Sequence, residues 1–112
     1  MASLAMMMLE ASTPKIRPLT PAQYAAQCKA AAHVMQEGLS VEQYAWRDYG
    51  RDWSFWDSRH RNAQGDQEIR RTQDAEAEAR FAAIGFGRNH PDRRAAAQPI
   101  AAYCRQARER AQ

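Results

Sequence analysis

Three histidines, two cysteines and scattered carboxylates are what this chain offers to acid–base, nucleophilic or metal chemistry. Their spacing assembles none of it. His33 falls in an alanine-rich stretch, His60 closes an aromatic run, and His90 precedes a proline. No serine or cysteine stands where a histidine and an acid would activate it. Cys28 and Cys104 form no C-x-x-C pair and have no histidine at ligand spacing, so no metal shell is expected. Glu76 and Glu78 fall on different sides of a helix, which separates them as an acid–base pair. Gly85-Phe86-Gly87 follows a helical pattern, whereas a phosphate cradle follows a strand. These readings point to a binding protein: not an enzyme, with no cofactor and no small-molecule substrate.

The residues suited to binding are concentrated. Six of the ten aromatic residues, including all three tryptophans, lie between Tyr44 and Trp56, and the run continues into Arg59, His60 and Arg61. Such rings carry the largest apolar area per residue, so the cluster is either the core of a small domain or a contact surface. Core is the favoured reading, because the rest of the apolar fraction (45%) is largely alanine. A stacking platform for single-stranded nucleic acid would instead alternate exposed rings with basic residues, and here each arginine has an aspartate neighbour.

With 112 residues the chain is one domain by size. The net charge of +3 and pI of about 9.2 are mildly basic. Residues 86–112 hold six arginines against Asp92 and Glu109, while residues 66–85 are net acidic. Lys15 and Lys29 are the only lysines. Arginine suits bidentate contact with phosphate or carboxylate, although a GC-rich genome raises arginine and alanine together. The apolar start, Met1 to Met8, lacks preceding lysine or arginine and meets Glu10, which makes a poor signal peptide. No apolar run reaches membrane-spanning length. The expectation is a soluble cytoplasmic protein with reduced thiols, bacterial by composition, and without a membrane partner.

The elements that would position these residues are helices. Residues 1–19 read as a flexible or extended arm and 20–112 as a single helical domain. Thr20-Pro21-Ala22-Gln23 is a capping box with proline at the first helical position. Tyr24, Cys28, Ala31 and Met35 then share one face, and Gly38 ends the helix. Ser40-Val41-Glu42-Gln43 repeats the box and starts a second helix, which Gly50 stops. Asp52 caps a third through about Arg61, with Trp53, Trp56 and His60 on one face. After a turn at 62–65, a helix runs from Asp66 to Ile84 with a thin apolar stripe of Ile69, Ala77, Phe81 and Ile84. It is either a solvated helix laced with i,i+4 ion pairs or a helix exchanged between two copies. Pro99 starts the last helix, whose face is Ile100, Tyr103, Cys104, Ala107 and Ala111. The fold class is therefore all-α, with four to five short helices including a helix-turn-helix-like pair, and the exchanged-helix alternative would make it a dimer.

The stretch Ser40-Val41-Glu42-Gln43-Tyr44-Ala45, then Gly50, Ser54-Phe55-Trp56 and Arg59-His60-Arg61, resembles the helix-turn-helix of small bacterial and plasmid-borne transcription regulators. The resemblance covers residues 40–61. It implies a homodimer that binds double-stranded DNA and regulates transcription by occupying an operator. Arg51, Ser54, Ser58 and Arg61 would face the groove, and Arg47, Arg59, Arg93 and Arg94 would contact phosphates. Two aspartates in the proposed recognition helix, Asp52 and Asp57, depart from that pattern and would repel phosphate. The alternative is a protein-interaction module, an accessory or inhibitor protein of a plasmid or phage, using the same aromatic–arginine surface.

Overall fold

The computed structural model describes residues 18–82 and 91–111. They form four helices and, among the described residues, no strand: α1 (Pro21–Gln36), α2 (Tyr44–Ala63), α3 (Gln67–Ala82) and α4 (Pro91–Ala111). The all-α expectation holds. The positions of Ile84, Gly85, Gly87 and His90, and of residues 1–17, lie outside the described residues.

Helix α1 is the mast of the structure and touches each of the other three. The Thr20 hydroxyl accepts from the Gln23 N–H (3.2 Å), and the Gln23 side chain accepts from the Thr20 N–H (3.0 Å). Both halves of the expected capping box are thus made. Beyond Gln36 the chain turns through Gly38, whose φ of 80° suits glycine far better than a residue with a side chain. Six alanines of α1 are buried, at 22, 25, 26, 30, 31 and 32. Because alanine is small, the neighbouring backbones approach this helix closely from several sides. Ala26, Ala30, Ala31, Val34 and Met35 join Ala77 and Phe81 of α3 and Ala97 and Ala101 of α4 in one core. A second apolar group joins Ala25 and Cys28 to Trp56 and Cys104. Helix α3 packs Ala77 and Phe81 onto its own chain, while Ile69 remains exposed.

Three expectations need correction. The first concerns Gly50, which ends no helix: α2 runs unbroken for 20 residues, so residues 40–61 form no helix-turn-helix. A glycine inside a helix costs about 1 kcal/mol relative to alanine, which is a weak penalty that tertiary packing overrides. Here it makes room. A Cβ at position 50 would stand 3.2 Å from Gln36 Nε2. That amide donates to the Trp46 carbonyl (2.9 Å), tying the end of α1 to the first turn of α2. The start of α2 also moves. Gln43 Oε1 accepts from the Ser40 N–H (2.8 Å), but the Ser40 hydroxyl donates to Glu42 (2.5 Å). Half a capping box forms, and helix begins only at Tyr44.

The second correction concerns Pro99, which lies inside α4. The helix starts eight residues earlier at Pro91, where the missing N–H costs nothing and Asp92 in the first turn favours the dipole. An interior proline costs about 3 kcal/mol. Burial of Ala97, Ala101 and Cys104 on both sides of it holds α4 together.

The third correction concerns the cysteines, which are not reduced thiols. Cys28 and Cys104 form a disulfide across α1 and α4, with Cα atoms 5.7 Å apart, well inside the usual span. Their separation of 76 residues in sequence hid a contact that the packing of two helical faces creates. No helix among the described residues is long and apolar enough to cross a membrane.

Candidate interaction surface

Polar side chains tie the helices together around the alanine core. Lys29 is buried on α1, with its ammonium 3.1 Å from Asp57 Oδ1 and 3.0 Å from Asp74 Oδ1. His60 is fully buried, and its Nε2 lies 2.6 Å from the Gln73 side-chain oxygen. Asp52, only 1% exposed, holds two arginines of α4: Arg105 through Nη2 (2.8 Å) and Arg108 through Nε (2.7 Å). Arg93 is buried between Glu37 (3.0 Å) and Glu78 (3.4 Å).

His33 Nδ1 sits 3.1 Å from Glu78, with Glu37 beyond Nε2 at 3.9 Å and Arg93 close to both acids. The hydrogen bond to Glu78 raises the His33 pKa above its ordinary 6.5, against an opposing push from partial burial and Arg93. A group with a raised folded pKa stabilises most below its unfolded value and loses that contribution as pH rises through the folded value. The stability of the wild type relative to His33→Gln should therefore shrink as pH climbs from about 5.5 to about 8. Urea denaturation of both proteins across that range measures it. A difference that is constant or grows with pH would refute the pairing.

These pairings decide which surface stays available. Arg47, Arg51, Ser54 and Ser58 recur at four, three and four residues, so they line one face of α2. The row is about 16 Å long at 1.5 Å per residue. All four are exposed. With Trp46 and Phe55 of α2 and Arg108 of α4 they border an open trough of about 730 Å³. Arg47 and Arg51 make no hydrogen bond or ion pair with the described residues. The two aspartates that would oppose an anion face elsewhere. Asp52 points inward to Arg105 and Arg108, and Asp57 is held by Lys29 and by Arg61 Nη2 (3.1 Å). The trough thus presents two exposed guanidinium groups with no ion-pair partner among the described residues, two hydroxyls and two half-buried rings.

The eight expected contact residues separate into groups. Arg47, Arg51, Ser54 and Ser58 come together. Arg59 lies beside them, its guanidinium over the Phe55 ring at 4.9 Å. Arg61 turns to the Asp57 side. Arg93 and Arg94 stand apart from this row: Arg93 is buried in its ion pairs, and the half-buried Arg94 donates through Nη1 to the Glu37 carbonyl (3.0 Å). Both secure α4 to the end of α1. Sequence reasoning held Trp46 and Phe55 only within the aromatic–arginine surface of the alternative reading, and it missed Arg108. The first two were legible as members of the aromatic run. Arg108 arrives only through its tertiary bond to Asp52.

The aromatic residues divide as well. Trp56 is buried, and Tyr24 and Phe55 meet it edge-on at 5.3 and 4.9 Å. Trp53 is 40% exposed with the Lys29 ammonium 5.6 Å from its ring, and Tyr44 is 83% exposed. The core reading holds for Trp56 alone among the three tryptophans. The alanines of α1 fill the space that six rings were expected to fill. Among the described residues no three His, Cys, Asp or Glu side chains gather as metal ligands.

Comparisons with protein-family models, with curated proteins and with solved structures found no match.

Proposed function

We propose that this protein is an interaction module that seats an acidic segment of another protein in the α2 trough. The observation that carries this reading is the pair of exposed arginines, Arg47 and Arg51, without an ion-pair partner among the described residues, beside Trp46 and Phe55, with Asp52 and Asp57 turned away. Guanidinium forks suit carboxylates, and the rings offer an apolar anchor next to them. Arg and Trp are also the residues that most often carry protein–protein binding energy. The disulfide supports the same direction. Disulfides persist in oxidising compartments and are rare in the cytosol, which favours a working environment other than the cytoplasm expected for reduced thiols.

A second reading is favoured by one observation. Arg47, Arg51, Ser54 and Ser58 form a straight row on an unbroken helix, which is how a helix lying in the major groove presents contacts to duplex DNA. The row is short of cations for that task, because Arg93 is buried in its ion pairs, Arg94 is tied to the end of α1 and Arg108 is shared with Asp52.

Fluorescence anisotropy decides between them, with a labelled acidic peptide carrying one phenylalanine anchor and a labelled duplex, each at low and at physiological salt. The expected result is peptide binding that keeps most of its strength at physiological salt and no specific duplex binding. Arg47→Ala with Arg51→Ala should weaken the peptide roughly tenfold to a hundredfold while leaving the fold intact. Duplex binding that falls steeply with salt and disappears in the same double variant would establish the DNA reading instead.

A further inference from the structure

Apart from the trough, a second and smaller pocket of about 240 Å³ opens between α1 and α4 beside the disulfide. Its character is the opposite of the trough's. No charged side chain lines it. Tyr24 and Gln27 come from α1, Ile100 and Tyr103 from α4, and the Cys28–Cys104 bridge joins the two walls. Pro99 adds its ring to the α4 wall. Tyr103 is a large ring left 56% exposed, and it meets Tyr24 edge-on at 6.3 Å and 83°.

We propose that this pocket binds one small, neutral aromatic molecule, a single or fused ring with one polar substituent, of the phenol or indole class. Size supports this choice. An apolar cavity of roughly 150 Å³ is enough to hold benzene, and drug-sized ligands begin near about 300 Å³, so the pocket lies between the two. The lining supports it as well. Two tyrosine rings offer edge and face contacts to a third ring, and a disulfide is a polarisable neighbour for a π-system. The Tyr24 and Tyr103 hydroxyls hydrogen-bond each other, so with the Gln27 amide they offer the remaining O–H donor and lone pairs, which suit one hydroxyl or N–H. The site is independent of the trough, since none of its residues borders that surface.

The test titrates p-cresol and indole into the oxidised protein, followed by ligand-observed NMR. Saturable binding in the millimolar range or tighter is expected for at least one of them. Gln27→Trp, which places a ring in the pocket from the half-exposed side of α1, should abolish it. Tyr103→Ala alters an exposed side chain outside the core and should weaken binding about tenfold with an unchanged melting temperature. Absence of saturable binding by both probes overturns the proposal, as does undiminished binding to a folded Gln27→Trp variant. The tripeptide Gly-Tyr-Gly binding more tightly than p-cresol also overturns it, because the pocket would then take a side chain of a partner protein.

Discussion

Replacing Cys28 and Cys104 together by alanine should lower stability by about 4 kcal/mol, from the loop entropy released when a bridge spanning 76 residues is removed. For a domain of this size that corresponds to a fall in melting temperature of roughly 15 °C. The effect is large here because the rest of the core is lean. Alanine dominates the buried face of α1, and each alanine contributes little apolar area to offset the loss. Thermal unfolding followed by circular dichroism, with and without dithiothreitol, measures it. Reductant should shift the wild type to the position of the double variant and leave the double variant where it is. Melting curves that coincide for oxidised wild type, reduced wild type and double variant would show that the bridge contributes nothing to the fold.

The second large effect belongs to Asp52. Its carboxylate is 1% exposed and holds Arg105 and Arg108 across the α2–α4 boundary. Asp52→Asn keeps the shape and removes the charge, leaving two guanidinium groups partly buried without their counterion. Breaking a buried pair in this way costs about 3–5 kcal/mol. The arginine side chains retain 31% and 16% exposure, so solvent recovers part of the loss and the expected cost is about 3 kcal/mol. Guanidinium denaturation gives the value. The informative control is the triple variant Asp52→Leu, Arg105→Met, Arg108→Met, which removes all three charges. It should recover most of the stability, since an apolar replacement of a buried ion cluster is often neutral. A triple variant as unstable as Asp52→Asn would mean that the cluster acts through packing rather than charge.

How far the sequence could be read differs from helix to helix. Helix α1 was legible in detail, because its signals are local. A threonine, a proline and a glutamine within four residues start it, and Gly38 lies just beyond it. The end of α2 and the start of α3 were legible for the same reason. Asp66 accepts from the N–H groups of Glu68 and Ile69 and caps the helix placed there. Gly50 and Pro99 misled because each was weighed as a local signal while its meaning was tertiary. Gly50 is where Gln36 approaches α2, and Pro99 is carried by a helix packed before and after it. Asp52 misled in the same way: taken as a cap, it is the buried partner of two arginines more than 50 residues away. Of the surface, the row Arg47–Arg51–Ser54–Ser58 was legible from helical spacing, since that spacing holds whether α2 is one helix or two. Its ion-pair environment was not, because charges that cancel across helices leave no periodic trace. The disulfide was half visible. Cys28 and Cys104 were each placed on the apolar face of its helix, but nothing in one sequence says that the two faces meet.

The contact between α1 and its sequence neighbour α2 is the largest in the fold, while Cys104 lies 76 residues from its partner. Loop-closure entropy therefore favours an order of assembly in which the α1–α2 hairpin gathers first and α4 is recruited later. With only two cysteines in the chain, a wrong bridge within one molecule has no partner to form with. During the interval before α4 arrives, however, Cys28 and Cys104 can react with the cysteines of other chains. The yield of correctly folded protein would then depend on how crowded the newly made chains are when they meet their oxidant, and refolding at high dilution would favour the native monomeric bridge over covalent aggregates.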